Sequence, residues 1–231
     1  MSKAFTALFA VLALAAGSAF ARGSALPQGD VAAGKSKAAE CAACHGFSGA
    51  SSNPEWPNLA GQNYGYLLEQ LQAFQSGARK NPVMAPIAQQ LSGMDVRNLA
   101  AYFSAQKAAP AASPTQIAQG NVRRGSDISS QCTACHGLTG MSPTSSRAVA
   151  WPNLAGQKYA YLLEQLHSFQ QGARKNPLMS PMAQRLSAQD SMDLAAYFSV
   201  QTPEAPEASN DVGAAAGKPI PHPPIVESTA Y

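Results

Sequence analysis

Two short motifs in this 231-residue chain combine cysteine and histidine in a spacing that suits covalent cofactor attachment. The motif residues are Cys41, Cys44 and His45 in the first copy, and Cys132, Cys135 and His136 in the second. Cysteines three positions apart share one face of a helical turn, so each thiol can add to one vinyl group of a haem while the histidine binds its iron. This is the c-type haem attachment motif, and its two copies predict two covalently bound haem c groups.

Other uses of the four cysteines fit the spacing less well. An even number of cysteines in an exported protein first suggests disulfides, but disulfides do not require a histidine after each pair. A thioredoxin-like redox pair requires neither that histidine nor a second copy. The two pairs are separated by 87 residues, which is far from the spacing of a four-cysteine zinc site.

The N-terminus is typical of an export signal. Lys3 supplies a positive charge, residues 4–16 are nearly all apolar, and Ala19-Phe20-Ala21 forms an A-x-A cleavage site. We therefore predict a signal peptide that is cleaved after Ala21 and a periplasmic protein. An uncleaved N-terminal anchor is the alternative, although the apolar run is short for a membrane span, which needs about 20 residues.

An internal repeat points to the second ligand of each iron. Residues 56–92 and 151–187 are nearly the same sequence at an offset of 95, whereas the haem motifs are offset by 91. The six-coordinate iron of an electron carrier usually has methionine or histidine opposite the motif histidine. Of the internal methionines, only Met84 and Met179 correspond under the offset of 95, and both lie in an N-P-x-M-x-P frame. We predict that they are axial ligands.

The other candidates lack this correspondence. Met182 is the only serious competitor in the second repeat, where it aligns with Ile87. His167 aligns with Gln72, so we expect it on a helix surface, and His222 lies in a proline-rich tail. Both methionines also have an ordinary structural alternative, because methionine commonly fills gaps in a core.

The elements that position these residues are predicted to be helices. Residues 30–45 fit a helix capped by Asp30, and residues 63–76 and 158–171 carry apolar residues at i, i+3, i+4 and i+7. Gly77 and Gly172 are the expected C-caps of these two helices. Residues 116–136 are less regular because glycines interrupt them. Capping boxes at Ser92–Asp95 and Ser187–Asp190 begin a final helix in each repeat, and alternating strand patterns are absent from the sequence.

On these motifs the mature chain resembles the dihaem cytochrome c4 family, which is built from two class I cytochrome c domains. The resemblance covers about 22–202 and rests on the duplicated C-x-x-C-H, the P-x-L-A-G-Q segment and L-x-A-Y-F near each domain end. It implies an all-α fold of two tandem domains related by duplication. It also implies the axial pairs His45/Met84 and His136/Met179, with Pro57 and Pro152 near the histidines.

Composition divides the chain into five segments. The predicted segments are a signal peptide (1–21), cytochrome c domain 1 (22–106), a linker (107–115), cytochrome c domain 2 (116–202) and a Pro/Ala-rich tail (203–231). The tail lacks apolar periodicity and is expected to be disordered. Each domain is small for an apolar core alone, so we expect the chain without haem to fold poorly.

The resemblance also implies a function. Family members are periplasmic electron carriers, soluble or peripherally associated with the membrane, that pass electrons from a donor such as a quinol-oxidising complex to a terminal oxidase. One alternative is the cytochrome subunit of a periplasmic dehydrogenase, for example of sulfide or alcohol. A dihaem peroxidase-type enzyme is a further alternative, but it needs an open iron, and equivalent methionines in both repeats argue against one. We therefore predict a carrier without catalytic residues.

Charge limits the class of partner. The chain has 16 Lys and Arg against 13 Asp and Glu, for a net charge of +3, and no basic run, so nucleic-acid binding is not expected. Residues 30–106 are neutral, whereas residues 116–201 carry the +3. Arg123 and Arg124 have no basic counterparts in the first repeat and are candidates for docking a redox partner. A solvated face, or pairing with haem propionates, is the alternative for either arginine.

Overall fold

The computed structural model describes residues 29–112, 117, 119–143 and 151–203. The predicted signal peptide and residues 204–231 of the tail lie outside the described residues. Within the described residues every regular element is a helix, and the only β-type contact is an isolated antiparallel bridge between Arg79 and Arg174. The all-α prediction is confirmed.

In the part of the chain that the structure describes, each repeat has five α-helices. Those of the first repeat are α1 (Val31–Ala38), α2 (Ala42–His45), α3 (Tyr64–Ser76), α4 (Met84–Gln89) and α5 (Gly93–Ser104). Those of the second are α6 (Val122–Ile128), α7 (Thr133–His136), α8 (Tyr159–Gln170), α9 (Met179–Ala183) and α10 (Ala188–Val200). A 3-10 turn precedes each haem motif helix, at Ala39–Cys41 and Ser129–Cys132.

The N-terminal helix of each repeat differs in detail from the sequence-based expectation. Asp30 caps α1 by accepting from the backbone of Ala32 and Ala33, as expected, but the 3-10 turn divides the predicted helix before the haem motif. In the second repeat, α6 is regular despite Gly125. A Cβ at Gly125 would lie 2.1 Å from the carbonyl oxygen of Asp193, so this glycine permits close helix packing rather than breaking the helix.

The capping signals formed as predicted. Ser92 and Asp95 make a complete capping box at the start of α5, and Ser187 and Asp190 do the same for α10. Gly77 follows α3 with a φ of +76°, the left-handed conformation that suits a C-cap glycine. Local sequence signals thus set these boundaries.

The two C-terminal helices, α5 and α10, are the centres of two separate cores. In the first repeat the buried apolar residues are Ala38, Leu67, Leu99, Ala100, Tyr102 and Phe103. In the second they are Leu162, Leu194, Ala195, Tyr197 and Phe198. The N-terminal helix crosses each of these helices at close range, because Gly34 and Gly125 leave room for the partner backbone.

Buried amides join the two repeats. Gln157 accepts from the Asn58 N–H at 2.8 Å and donates to its carbonyl at 2.9 Å. Gln62 bonds Asn153 in the same way, at 2.8 and 2.9 Å. The segments that follow the two haem motifs therefore face each other. No helix of the described residues has both the length and the apolar character of a membrane span.

Candidate functional site

The cysteines and histidines of each motif lie on one short helical stretch. Cys41 ends the 3-10 turn, and Cys44 and His45 belong to α2. The same arrangement recurs in the second repeat, where the stretch ends at His136 in α7. All four thiols are free and half-buried, as attachment through both cysteines requires.

A backbone carbonyl orients the histidine of the first motif. His45 is buried, and its Nδ1 lies 2.9 Å from the carbonyl oxygen of Pro57. A carbonyl can only accept, so Nδ1 carries the proton and Nε2 is the nitrogen left for a metal. Burial lowers the pKa of His45, although the Pro57 contact opposes this, so the imidazole is neutral at neutral pH.

The histidine of the second motif is held in the same way. His136 Nδ1 lies 2.9 Å from the carbonyl oxygen of Pro152, and burial again lowers its pKa. The resemblance implied both proline contacts, and both are present. Two equivalent histidines thus present the same tautomer and the same protonation state.

An asparagine three positions before each predicted methionine ligand bonds the start of the helix that carries this methionine. The Asn81 side chain accepts from the Met84 N–H at 2.8 Å, and Asn176 accepts from the Met179 N–H at 2.9 Å. Both methionines are therefore the first residue of a short helix, α4 or α9, rather than members of an irregular loop. The amide fixes the backbone from which each methionine side chain starts.

A glutamine of the long helix supports the methionine helix from the other end. Gln75 on α3 donates to the carbonyl oxygens of Ala88 and Leu91, at 3.0 and 2.8 Å. Gln170 on α8 makes the equivalent bonds in the second repeat. Sequence reasoning missed these glutamines and the asparagines, although the same residue types at matching repeat positions were the available signal.

One cavity of about 850 Å³ brings the predicted site residues together. Its walls include all four motif cysteines, both motif histidines, Met84 and Met179. Met182 also lines the cavity, so position alone does not separate it from Met179. His167 lies on a helix, as expected, and is half-buried on α8. His222 lies outside the described residues.

The cavity fits two haem c groups. Its walls are largely apolar, with Leu67, Leu71, Phe74 and Phe103 from the first repeat and Leu162, Leu166, Phe169 and Phe198 from the second. Burial raises the pKa of the Cys41 thiol. It also raises the pKa of the Cys132 thiol, to about 11, so both are protonated thiols rather than metal-binding thiolates. Within the described residues no three His, Cys, Asp or Glu side chains group around a metal position, unlike a zinc site.

The two docking candidates of the second repeat differ in their contacts. Arg124 forms ion pairs with Asp190 and Asp193 of α10, so its charge is used within the domain. Arg123 is exposed. Arg124 thus links α6 to α10. Of the two candidates for docking a redox partner, only Arg123 remains.

Known proteins resemble this chain over most of its length. The profile of the family described as cytochrome c matches residues 31–107 and 122–200. A cytochrome c4 from Pseudomonas aeruginosa is 36% identical over 182 residues, which covers 76% of this chain and 90% of that protein. A Stutzerimonas stutzeri protein named thiosulfate dehydrogenase electron acceptor is 37% identical over 170 residues, covering 68% of this chain and 77% of its own length.

A solved structure shares the arrangement of both repeats. The crystal structure of reduced recombinant cytochrome c4 from Pseudomonas stutzeri superimposes with a TM-score of 0.66 at 34% sequence identity. The match covers 75% of this chain and 99% of that one. The likeness therefore extends over two haem-binding units.

Proposed function

We propose that this chain, which belongs to the cytochrome c family as a two-haem cytochrome c4, is a periplasmic carrier that takes electrons from one redox protein and delivers them to another. The chain is a c-type cytochrome of electron transfer with two covalently bound haem c groups, one on each motif. The observation that carries the proposal is the duplicated site. Each repeat contributes a motif histidine and a methionine to the wall of the same cavity.

The residues of the chain have distinct tasks in this function. When bound, each haem supplies an iron that accepts and releases one electron. We propose His45 and Met84 as its axial ligands in the first domain, and His136 and Met179 in the second. The carbonyl of Pro57 keeps the His45 tautomer fixed, and Asn81 holds the backbone of Met84, so little has to move when the charge changes.

The cavity rim is the proposed point of approach for partners. Val83 and Leu178, at equivalent positions of the repeats, are 58% and 60% exposed and lie on the cavity wall. Trp56 and Ile87 add exposed apolar surface in the first repeat. An apolar patch beside each haem suits brief contacts with a redox protein. The charge difference between the repeats favours a different partner at each end.

The donor and acceptor are the finer part of the proposal. We propose a periplasmic location from the export signal, a donor such as a quinol-oxidising complex, and a terminal oxidase as acceptor. A periplasmic dehydrogenase is a second candidate donor, and the likeness to a thiosulfate dehydrogenase electron acceptor favours it. Mixing the reduced or oxidised holo-protein with each candidate in turn, and following haem absorbance, distinguishes them by rate.

The visible spectrum of the holo-protein, oxidised and reduced, with and without carbon monoxide, tests the carrier itself. We expect two haems per chain and no spectral change with carbon monoxide at neutral pH, because methionine closes both irons. Carbon monoxide binding at one haem would mean an open or labile iron. That result would overturn the carrier proposal in favour of an enzyme or a sensor.

A further inference from the structure

The peptide group between Pro57 and Asn58 has a hydrogen-bond partner at each of its two ends. Its carbonyl oxygen, that of Pro57, lies 2.9 Å from Nδ1 of His45, which donates to it. Its N–H, that of Asn58, donates to Oε1 of Gln157 in the other domain at 2.8 Å. One peptide group therefore connects the motif histidine of the first domain to a glutamine of the second, and this connection is called the histidine–glutamine link.

The second repeat contains the same link in the opposite direction. Nδ1 of His136 donates to the carbonyl oxygen of Pro152 at 2.9 Å, and the N–H of the next residue donates to Oε1 of Gln62 at 2.8 Å. Gln62 and Gln157 correspond under the offset of 95 between the repeats. Each domain therefore supplies one glutamine to the histidine of the other.

The amide of each glutamine is held in one orientation. Nε2 of Gln157 donates to the carbonyl of Asn58 at 2.9 Å, and Nε2 of Gln62 donates to the carbonyl of Asn153 at 2.9 Å, so Oε1 is the atom that faces the N–H. Each Oε1 also accepts from the backbone N–H of the residue after its glutamine, at 2.9 and 2.8 Å. Both glutamines are buried, so bulk water does not compete for these bonds.

The linking peptide also has anchors that do not involve the glutamine. Oδ1 of Asn58 accepts from the N–H of Ser51 at 3.0 Å, and Nδ2 of Asn58 donates to the carbonyl of Gly156 at 2.9 Å. Asn153 makes the equivalent bonds in the second repeat, at 2.8 and 2.9 Å. The position of the peptide therefore does not depend on the glutamine alone, and the glutamine contributes mainly an acceptor for its N–H.

Hydrogen bonds at the two ends of a peptide group strengthen each other. The C–N bond has partial double-bond character, so an acceptor bound to the N–H increases the negative charge on the carbonyl oxygen. Each bond of such a chain is strengthened by roughly 10–30% in a buried site. A stronger carbonyl acceptor draws the Nδ1 proton of the histidine, which makes Nε2 a stronger electron donor to a metal.

We propose that Gln157 and Gln62 are positioning residues that set the reduction potential of the haem in the opposite domain. Gln157 acts on the first haem through His45, and Gln62 acts in the same way on the second. A stronger Nε2 donor stabilises ferric iron, so each glutamine lowers the potential of the haem that it reaches. The link exists only while the domains are docked, so each iron responds to the presence of the other domain. The proposal rests on the axial histidines of the proposed function and is independent of the redox partner.

Redox titration of the holo-protein, followed separately for each haem, tests the link. Paramagnetic shifts resolve the NMR signals of the two ferric haems, and the signals that change in Met84→Leu identify the first domain. Gln157→Leu is expected to raise the potential of the first haem alone. The equilibrium of this haem with a reference dye should move about threefold toward the ferrous form, or about 28 mV for one electron at about 59 mV per tenfold change.

Gln62→Leu is the matched control, because it removes the equivalent contact between the domains with the same change of side chain. It is expected to raise the potential of the second haem by a similar factor and to leave the first unchanged. A merely loosened contact would instead move both haems in both variants. That result, or potentials that stay at the wild-type values, overturns the proposal.

Gln157→Glu tests whether the acceptor oxygen is the important atom. Its carboxyl group has an oxygen for the Asn58 N–H whether or not it is ionised, so the first haem should have a potential at or below the wild-type value. A potential raised as far as in Gln157→Leu overturns the proposal. Two haems per chain and a spectrum unchanged by carbon monoxide show in each variant that the proposed function is intact, which separates failure of the link from failure of the carrier.

Amide hydrogen exchange of the wild-type holo-protein tests the link without a substitution, and it decides the matter if a leucine variant loses haem. Coupling between two equilibria is reciprocal, so oxidation should stabilise the N–H bonds of Asn58 and Asn153 by the same factor of about three and slow their exchange. The amides of Gly61 and Gly156, which bond to carbonyls within their own domains, are the controls. Equal changes in both pairs of amides on oxidation overturn the proposal.

Discussion

At the scale of residues, His45 and His136 each have the tautomer that the predicted iron ligation requires. Each ring donates Nδ1–H to a proline carbonyl, which leaves Nε2 free of a proton. Burial lowers the pKa of both imidazoles, so metal binding does not compete with protonation near neutral pH. The same residues therefore supply both orientation and the correct charge state.

Replacing Met84 with leucine tests the predicted axial ligand. We expect one of the two haems to bind carbon monoxide and to have a lower potential, because methionine ligation raises the potential of haem iron. Titration with carbon monoxide, followed in the visible spectrum, measures the fraction of haem that opens.

Met182→Leu is the control for the second domain, since Met182 also lines the cavity. It is expected to leave both haems closed, whereas Met179→Leu opens one. If Met182→Leu opens the second haem and Met179→Leu does not, the ligand assignment in that domain is wrong.

At the scale of elements, the repeats use one framework with a different contact at one helix crossing. In the first repeat, Asn98 on α5 accepts from the backbone N–H of Asp30 at 2.8 Å. In the second, Asp193 on α10 accepts from the N–H of Asn121 at 2.6 Å. Asp193 is fully buried, and Arg124 supplies the charge that balances it. The second domain therefore has a buried carboxylate where the first has an amide.

This difference predicts that protonation of Asp193 destabilises the folded protein in acid. Burial opposes ionisation of Asp193, but bonds from Asn121, Arg124 and Gln189 hold its pKa below the ordinary value of 3.8. A carboxyl group whose pKa is lower in the folded than in the unfolded chain stabilises the fold at pH values above its unfolded pKa. This stability is lost as the pH falls through the folded pKa. Circular dichroism and haem absorbance between pH 5 and pH 2 should show an acid unfolding transition that depends on this carboxyl group.

Asp193→Asn copies the first repeat and is expected to move the acid transition to lower pH, with a change of only a few degrees in Tm at neutral pH. Asn98→Asp is the reciprocal variant. Ala33 stands where Arg124 stands in the other repeat, so this carboxylate would be buried without a cation and should lower Tm more. Equal acid sensitivity of wild type and Asp193→Asn would contradict the prediction.

At the scale of the whole molecule, buried amides make the two domains one folding unit. Gln157 satisfies both the N–H and the carbonyl of Asn58, and Gln62 does the same for Asn153. Buried backbone groups that lose their partners cost about 1–3 kcal/mol each. The contact between the domains thus depends on a few side chains that are themselves buried.

Replacing Gln62 and Gln157 together with alanine should separate the unfolding of the domains. We expect calorimetry of the holo-protein to show two transitions in place of one, with the first at a lower temperature. Gln72→Ala, an exposed position on α3, is the control and should leave a single transition. A single transition at the wild-type temperature in the double variant would show that the amides do not couple the domains.

The sequence by itself determined the features that depend on neighbouring residues. The haem motifs, the capping box at Ser92 and the helix from Tyr64 to Ser76 follow from side chains a few positions apart, so their spacing was sufficient. The internal repeat added the methionine prediction, because it compares two copies of one site. The all-α fold and the two covalent haems followed from these signals.

Only the tertiary structure decided which distant residues meet. Arg79 and Tyr161 are 82 residues apart, and Asn58 and Gln157 are 99 apart, yet each pair is hydrogen-bonded. Such contacts depend on how two folded domains dock. The spacing of apolar and polar residues along the chain does not specify that docking. The sequence offers Arg124 for docking, for a solvated face or for propionate pairing, because its actual partners on α10 lie more than sixty residues away. Position in space, rather than residue type, gives these side chains their roles.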